Sequence, residues 1–348
     1  MFKRKIGLSI ILTAIMLTVV ACGNNAAKGT NTVSEGSSEP TADDKSYTIA
    51  ISQIVEHPSL DATREGFLQA LKDAGITEGD NLKIDYNNAQ NDMTNNMTIA
   101  QKIESSDADL VLAIATPSAQ AVVQQVKDKN ILFASVTDPL DAKIVTNLEK
   151  PGGNVSGGSD TNPEAITKLM DFIAGSFPEI KSIGLVINEG EPNAVMMSKL
   201  AEEALSKHDI KLVKAAITNT SEVKQAAESL IGRVDAYYIT LDNFVVSGAD
   251  TIIQIANEKD MPFFSSDRDT VEKGAFATVG FKYFDHGYQV GEMAVDILKN
   301  GKKPGDLPVG MQEKLDLILN LKAAAEQGIE VTDEIKAQVE DAETNIIQ

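Results

Sequence analysis

The sequence predicts an α/β protein of two doubly wound, Rossmann-like lobes joined by a multi-strand hinge, and three observations predict it. Short β-rich runs alternate with longer amphipathic stretches, the pattern of βαβ units built on a parallel sheet. A glycine-rich segment, Lys150-Pro151-Gly152-Gly153-Asn154-Val155-Ser156-Gly157-Gly158, interrupts that rhythm, and the rhythm then restarts. The pieces after the second series are too few for a third domain. They are expected to return and finish the lobes, with two or three strands crossing between them.

In chain order, the first series reads as strands at Thr48–Val55, Leu82–Tyr86, Leu110–Ala115 and Ile131–Val136, with helices near Ser59–Ala74, Met93–Ser105 and Ser118–Lys129. The segment 150–158, with four glycines and a proline, is read as too flexible for the interior of a strand or helix. The second series has strands at Ile183–Ile187, Lys211–Ile217, Ala236–Thr240 and Pro262–Ser265, and helices near Pro163–Ser176, Ala194–His208, Glu222–Ile231 and Val246–Lys259. A strand-like Phe276–Phe281, an amphipathic helix Tyr283–Asn300 and a strand Leu315–Asn320 follow. The expected division is an N-terminal lobe over 47–150, completed by part of 282–330, and a C-terminal lobe with the hinge crossings over 151–281. The acidic, amphipathic 331–348 is expected to be a helical surface tail.

Composition narrows the function. The chain of 348 residues carries 31 Lys and Arg against 51 Asp and Glu, a formal charge of −20, with one Cys, three His and no Trp. Such an acidic chain repels phosphate backbones, and its cations are scattered, so no nucleic-acid partner is expected. One Cys forms no internal disulfide. It sits instead behind a basic Lys3-Arg4-Lys5 and an uncharged, mostly apolar run Ile6–Ala21, in Val19-Val20-Ala21-Cys22-Gly23. That layout resembles a bacterial lipobox, with residues 1–21 as signal peptide and Cys22 as the lipidated first residue of the mature chain. Gly23 to Ser46 is small, polar and acidic, too poor in apolar groups to offset its own ordering. It reads as a flexible tether, about 25–30 Å in average reach.

In open parallel sheets, ligands bind beyond the carboxyl ends of the strands. The segments there are short and polar: Glu56-His57-Pro58, Asn87-Asn88, Thr116-Pro117-Ser118 and Thr137-Asp138-Pro139 in the first series, then Asn188-Glu189-Gly190-Glu191, Thr218-Asn219-Thr220, Asp242-Asn243 and Ser266-Asp267 in the second. Thr116 as an N-cap with Pro117 at the first helical position would leave the N–H groups of Ser118 and Ala119 facing the cleft, a ready anion site; a merely well-capped helix has the same sequence. Asp242 and Asp267 can each pair with a ligand ammonium or each cap the next helix. Donors on one lobe with acceptors on the other would suit a zwitterion. Catalytic constellations are missing: there is no GxSxG elbow, Walker loop or GxGxxG fingerprint, and His57, His208 and His286 have no metal-ligand spacing.

The lipobox and the strand-end segments together resemble the solute-binding lipoproteins of bacterial ABC transporters, closest to those of the tryptophan/tyrosine type with a type I periplasmic-binding fold. The resemblance rests on Gln53-Ile54-Val55-Glu56-His57-Pro58-Ser59-Leu60-Asp61, Ala113-Ile114-Ala115-Thr116-Pro117-Ser118-Ala119-Gln120, Val136-Thr137-Asp138-Pro139, Lys150–Val155, Val234–Tyr238 with Asp242-Asn243, and Leu319–Ala324. It implies binding without chemistry and without a cofactor: a monomer whose lobes close on a small zwitterion, expected to be an aromatic amino acid. The closed form would dock outside the cytoplasm on an ABC permease with a cytoplasmic ATPase. It further implies that Thr116, Ser118, Thr137 and Asp138 hold the α-carboxylate, that Asp242 and Asp267 take the ammonium beside Asn188 and Asn243, and that Glu56 and His57 line the pocket. Another solute, such as a nucleoside or sugar, or a role as ligand sensor for a membrane receptor, is the alternative. An aromatic ligand would need apolar walls, with Phe133, Phe244, Phe264 and Tyr283 as candidates.

Overall fold

A computed structural model describes residues 45–312 and 314–348. The expected signal peptide, Cys22 and nearly all of the tether lie outside the described residues. From Tyr47 onward the chain alternates as β1 (Tyr47–Gln53), α1 (Pro58–Asp73), β2 (Leu82–Asn88), α2 (Met93–Glu104), β3 (Leu110–Ile114), α3 (Thr116–Gln125), β4 (Asn130–Val136) and β5 (Val155–Ser159). It continues with α4 (Pro163–Ser176), β6 (Ser182–Asn188), α5 (Pro192–Ser206), β7 (Lys211–Ile217), α6 (Val223–Leu230), β8 (Ala236–Ile239), α7 (Asn243–Val246), α8 (Ala249–Glu258), β9 (Phe263–Ser265), α9 (Arg268–Lys273) and β10 (Ala277–Gly280). The last part comprises α10 (Tyr283–Asn300), β11 (Gly310–Met311), β12 (Asp316–Asn320), α11 (Leu321–Glu326), α12 (Asp333–Lys336), α13 (Ala342–Asn345) and β13 (Ile346–Ile347).

Two sheets result, ordered β11-β5-β4-β3-β1-β2 and β13-β12-β10-β9-β8-β6-β7. All their pairings are parallel except β10 with β12. Every residue of β3 is buried, as its unbroken apolar run Leu-Val-Leu-Ala-Ile requires of a central parallel strand covered on both faces. One face of the first sheet packs Leu60, Phe67 and Leu71 of α1 with Val290 and Ala294 of α10; the other packs Ile103, Ala119 and Val122 of α2 and α3. The second sheet is covered likewise by α4 and α5 on one face and by α6 and α8 on the other. Among the described residues no helix is long and apolar enough to cross a membrane.

The chain leaves the first sheet after β5, returns after β10 and leaves again after β11. The glycine-rich segment therefore differs from its sequence reading: Val155–Ser159 is a strand of the first sheet, beside β4. Its glycines serve close approach. A Cβ at Gly157 would lie 2.0 Å from the carbonyl oxygen of Phe133, so only a bare backbone can pair there. The helix expected over Val246–Lys259 is α8, which starts at Ala249 behind Gly248, and a further short helix, α7, capped by Asp242, precedes it.

The tail also differs from the expected surface helix. Its two short helices lead into β13, whose Ile346 and Ile347 pair with Leu319 and Asn320 of β12. Arg268 of α9, 7% exposed, donates to Asn345 Oδ1 (2.9 Å), to the Thr344 carbonyl (2.8 Å) and to Glu272 (2.7 Å). Asn345→Ala leaves a buried cation one partner short and is expected to cost about 1–3 kcal/mol, read from denaturant midpoints at unchanged m. An unchanged midpoint would show that the tail adds nothing to the second lobe.

Candidate functional site

The strand ends of the two sheets face one another across two small adjoining cavities, one larger than the other, that share Asp160, Leu241 and Tyr283. From the first lobe, the smaller cavity is lined by His57 and Ser59 at the start of α1, Thr116 at the start of α3, and Ser135 and Thr137 at the end of β4. Two of these turns are strained. Ala115, directly before Thr116, has φ 77°, and Ser135 has φ 55° at a break in the β4–β5 register, both unusual for residues with a Cβ. Packing holds them there. The Ser135 N–H donates to Nε2 of His286 (3.0 Å), a fully buried ring on α10, and the Ser135 hydroxyl pairs with Thr63 (3.0 Å). Burial drives the His286 pKa down to about 4, so the ring is neutral and free to accept.

The second lobe supplies Asn193 from α5, Asn243 from the start of α7 and Asp267 from the start of α9. Asp267 caps its helix through Thr270, whose N–H and hydroxyl both donate at 2.7 Å, and it accepts a bond from the Ser59 hydroxyl of the other lobe (3.1 Å). A second bond, from Asn91 to the Ser247 hydroxyl (3.4 Å), also joins the lobes. The larger cavity is more apolar, walled by Ile166, Leu169, Met197, Leu241, Val279 and Phe281, with Arg268 and Tyr283 at its edges.

Of the residues expected at the site, His57, Thr116, Thr137, Asn243 and Asp267 meet around one cavity. The others line neither cavity. Glu56 is exposed and accepts from the Tyr86 hydroxyl (3.0 Å). Ser118 is fully buried and donates to Asn96 (3.2 Å), while Asp138 folds back on the N–H groups of Leu140 and Asp141. Asn188 accepts from Gly190, and its own N–H donates to Asp242. Asp242 itself is fully buried, and its carboxylate accepts three backbone N–H groups, from Asn188, Phe244 and Val245, so it braces the strand ends. The cap before α3 is Ala115, not Thr116, and the Ala119 N–H bonds back to Ala115 within the helix. Of the aromatic candidates only Tyr283 lines a cavity, joined by Phe281; Phe133, Phe244 and Phe264 belong to the cores.

Asp160 and Asn193 are absent from the sequence expectation, and Tyr283 enters it only as an aromatic wall. Asp160 follows β5, a strand that the sequence reading takes for a flexible segment, Tyr283 opens α10 behind β10, and Asn193 lies one residue past the helix-starting Pro192. Tyr283 donates to Asp160 (3.4 Å), as does Thr161 (3.2 Å). Burial pushes the Asp160 pKa up to about 6, against the opposing pull of the Thr161 hydroxyl. Burial lowers the pKa of His57, with Asp267 acting the other way. Burial raises those of Glu191 and Asp242, and Glu191 adds to the rise at Asp242.

The Asp160 shift has a definite sign. Its folded pKa lies above the unfolded value, so between about pH 6 and 4 the folded state holds a proton that the unfolded chain has released. Its cost to stability is full above pH 6 and fades as pH falls. Ligand-free Asp160→Asn is expected to be more stable than the parent at pH 7.5, by on the order of 2–3 kcal/mol, and equal to it near pH 4. Thermal melts at both pH values check this; the same difference at each would refute it.

Two parallel-sheet lobes whose strand ends close over a polar cavity define a protein that encloses a small solute. The chain belongs to the ABC transporter substrate binding protein family, whose sequence model matches residues 48–342. It is 40% identical over 320 residues to the tyrosine-binding protein of Clostridioides difficile (strain R20291), covering 92% of this chain and 91% of that one. It resembles the ABC domain in complex with L-Trp from Streptococcus pneumoniae, with a TM-score of 0.81 and 30% identity over 87% of this chain and 100% of that one. The ligand-free, open structure of a substrate binding protein with adhesive properties from Clostridium difficile is 40% identical, covers 86% of this chain and 98% of that one, and gives a TM-score of 0.62. The fold is that of the type I periplasmic-binding proteins, and the family and these relatives are binding proteins rather than enzymes.

Proposed function

We propose that the protein is the extracytoplasmic, lipid-anchored receptor of an ABC importer and that it captures an aromatic amino acid between its lobes. The observation that carries this is the division of chemistry across the cleft. Hydroxyl groups of Thr116, Ser135 and Thr137 line the first-lobe side, and the carboxylate of Asp267 and the amides of Asn193 and Asn243 line the second. A zwitterion lying across them puts its carboxylate against donors and its ammonium against acceptors. Asp160 borders both cavities and adds a second carboxylate near the ammonium. The apolar larger cavity receives the aromatic side chain, with Tyr283 and Phe281 offering ring faces. The tyrosine-binding relative and the L-Trp complex support the ligand class. The TM-score is higher for that ligand-bound structure than for the open, ligand-free one, in keeping with lobes joined by the Ser59–Asp267 bond.

Cys22 would carry the lipid, and the closed lobes would present the ligand to a permease driven by a cytoplasmic ATPase. Scanning fluorimetry of the purified protein against the twenty amino acids, nucleosides and sugars tests the ligand class. L-tyrosine or L-tryptophan at about 100 times its dissociation constant should stabilise the fold by roughly 2.7 kcal/mol. Stabilisation by a sugar or nucleoside alone would discard the amino-acid assignment and leave the family intact.

A further inference from the structure

Behind the cavity wall, at the residue before α5, sits Glu191, 3% exposed. Its Oε2 accepts from the side-chain Nδ2 of Asn193 (2.8 Å), from Nδ2 of Asn243 (2.8 Å) and from the backbone N–H of Asn243 (3.2 Å). Asn193 Nδ2 also donates to the Leu241 carbonyl (2.8 Å). The two ends of an asparagine amide have nearly the same shape, and only the neighbours decide which end faces which way. A carboxylate oxygen and a carbonyl oxygen offer no hydrogen, so the NH₂ of Asn193 must face them and its Oδ1 is turned away. That Oδ1 has no protein partner among the described residues, although Asn193 is only 4% exposed and lines the smaller cavity. Asn243 lines the same cavity and is held to the same carboxylate.

We infer that Glu191, which lines neither cavity, sets the polarity of the binding site: by fixing the NH₂ groups of Asn193 and Asn243 on itself, it turns the second-lobe wall into an acceptor surface that selects a ligand ammonium. Glu191 is a positioning residue, and this role rests on the amino-acid reading above. All three bonds fall on Oε2, and Oε1 has no protein partner among the described residues, so a glutamine that keeps its oxygen at the Oε2 position holds both amides as they are. A leucine of similar size offers no acceptor, and an asparagine amide released by it can reverse and point a donor at the ammonium. A buried acceptor that meets a charged donor is typically worth a factor of about 10 to 100 in affinity, which is the loss expected for Glu191→Leu, whereas Glu191→Gln should bind nearly as the parent does.

The experiment is a double-mutant cycle with L-tyrosine and L-tryptophan, read by titration calorimetry on the parent, Glu191→Leu, Asn193→Ala and the double variant, with Glu191→Gln as the variant that keeps the acceptor and melting temperatures as folding controls. Each member of the cycle should bind less tightly than the parent, and the double variant should be no weaker than the poorer single, because both changes remove one acceptor. The preference for the amino acid over the α-hydroxy acid with the same side chain should narrow with Glu191→Leu and persist with Glu191→Gln, since the ammonium alone feels the reversed amide. Additive losses in the cycle, equal losses for the amino acid and the hydroxy acid, an unchanged Glu191→Leu, or equal impairment of Glu191→Leu and Glu191→Gln would overturn the inference while leaving the amino-acid reading in place. A parent protein that binds neither amino acid would remove both. If Glu191→Leu does not fold, Glu191→Asp, which draws the carboxylate back from both amides, has the same outcomes in the same cycle.

Discussion

Gly287→Ala is expected to lower the melting temperature by roughly 10 °C. Helices α1 and α10 meet backbone to backbone. A Cβ at Gly287 would lie 1.9 Å from the carbonyl oxygen of Thr63, and one at Gly66 would lie 2.0 Å from that of Phe284. Neither obstacle is a side chain that can swing away. Overpacking a core usually costs about 1–3 kcal/mol, and a clash between two helix backbones belongs at or above the top of that range. The displacement would also reach the site, because Thr63 pairs with Ser135 at the cavity wall. Gly175→Ala is the control. It lies in α4 with nothing within 4 Å of where the added methyl would sit, and alanine in an exposed helix should be neutral or stabilising by up to about 1 kcal/mol. Equal melting temperatures for the two variants would show that α1 and α10 can separate freely.

Asp267→Ala should weaken the binding of an aromatic amino acid by about 100-fold or more, since it removes a charged acceptor from a closed cavity. Part of the change is structural: loss of the helix cap should cost about 1 kcal/mol in stability. Ser59→Ala separates the two effects. It abolishes the bond across the lobes and keeps the carboxylate, so it should weaken binding by less than about tenfold, the worth of one neutral hydrogen bond. If calorimetry finds the two variants equally impaired, Asp267 acts as a latch between lobes and the ammonium is held elsewhere.

Much of this architecture is legible in the sequence, because parallel strands buried on both faces are written as unbroken apolar runs. Lys211–Ile217, Pro163–Ser176 and Tyr283–Asn300 fall where periodicity places them, and most other boundaries shift by one to three residues. The glycine-rich segment is misread because the same residues that loosen a loop also let two backbones touch; Gly157 against Phe133 is visible only once β4 is in place. The site shows the same limit. Reading the residues after each strand finds His57, Thr116, Thr137, Asn243 and Asp267. It does not distinguish a side chain aimed at the cleft from one folded back on its own turn, as Asp138 and Asp242 are. Asp160 and Tyr283 escape it for another reason. Asp160 follows β5, a strand hidden in the glycine-rich segment, and Tyr283 opens α10 behind β10, beyond the second series of strands.

The return of α10 to the first sheet bears on how the chain comes to be folded. Tyr47, which opens the first strand, gives its hydroxyl to the carbonyl of Leu298, 251 residues later (3.3 Å). Between them the chain builds almost all of the second lobe. A polypeptide emerging from its N-terminus therefore has α1 ready early, with its notch at Gly66 and its apolar face of Leu60, Phe67 and Leu71 uncovered until α10 appears. Loop closure over that separation is slow and cannot begin before the partner helix exists. The first lobe is thus held incomplete through most of synthesis and locks only when α10 arrives, so that the two halves of the clamp mature together rather than one after the other.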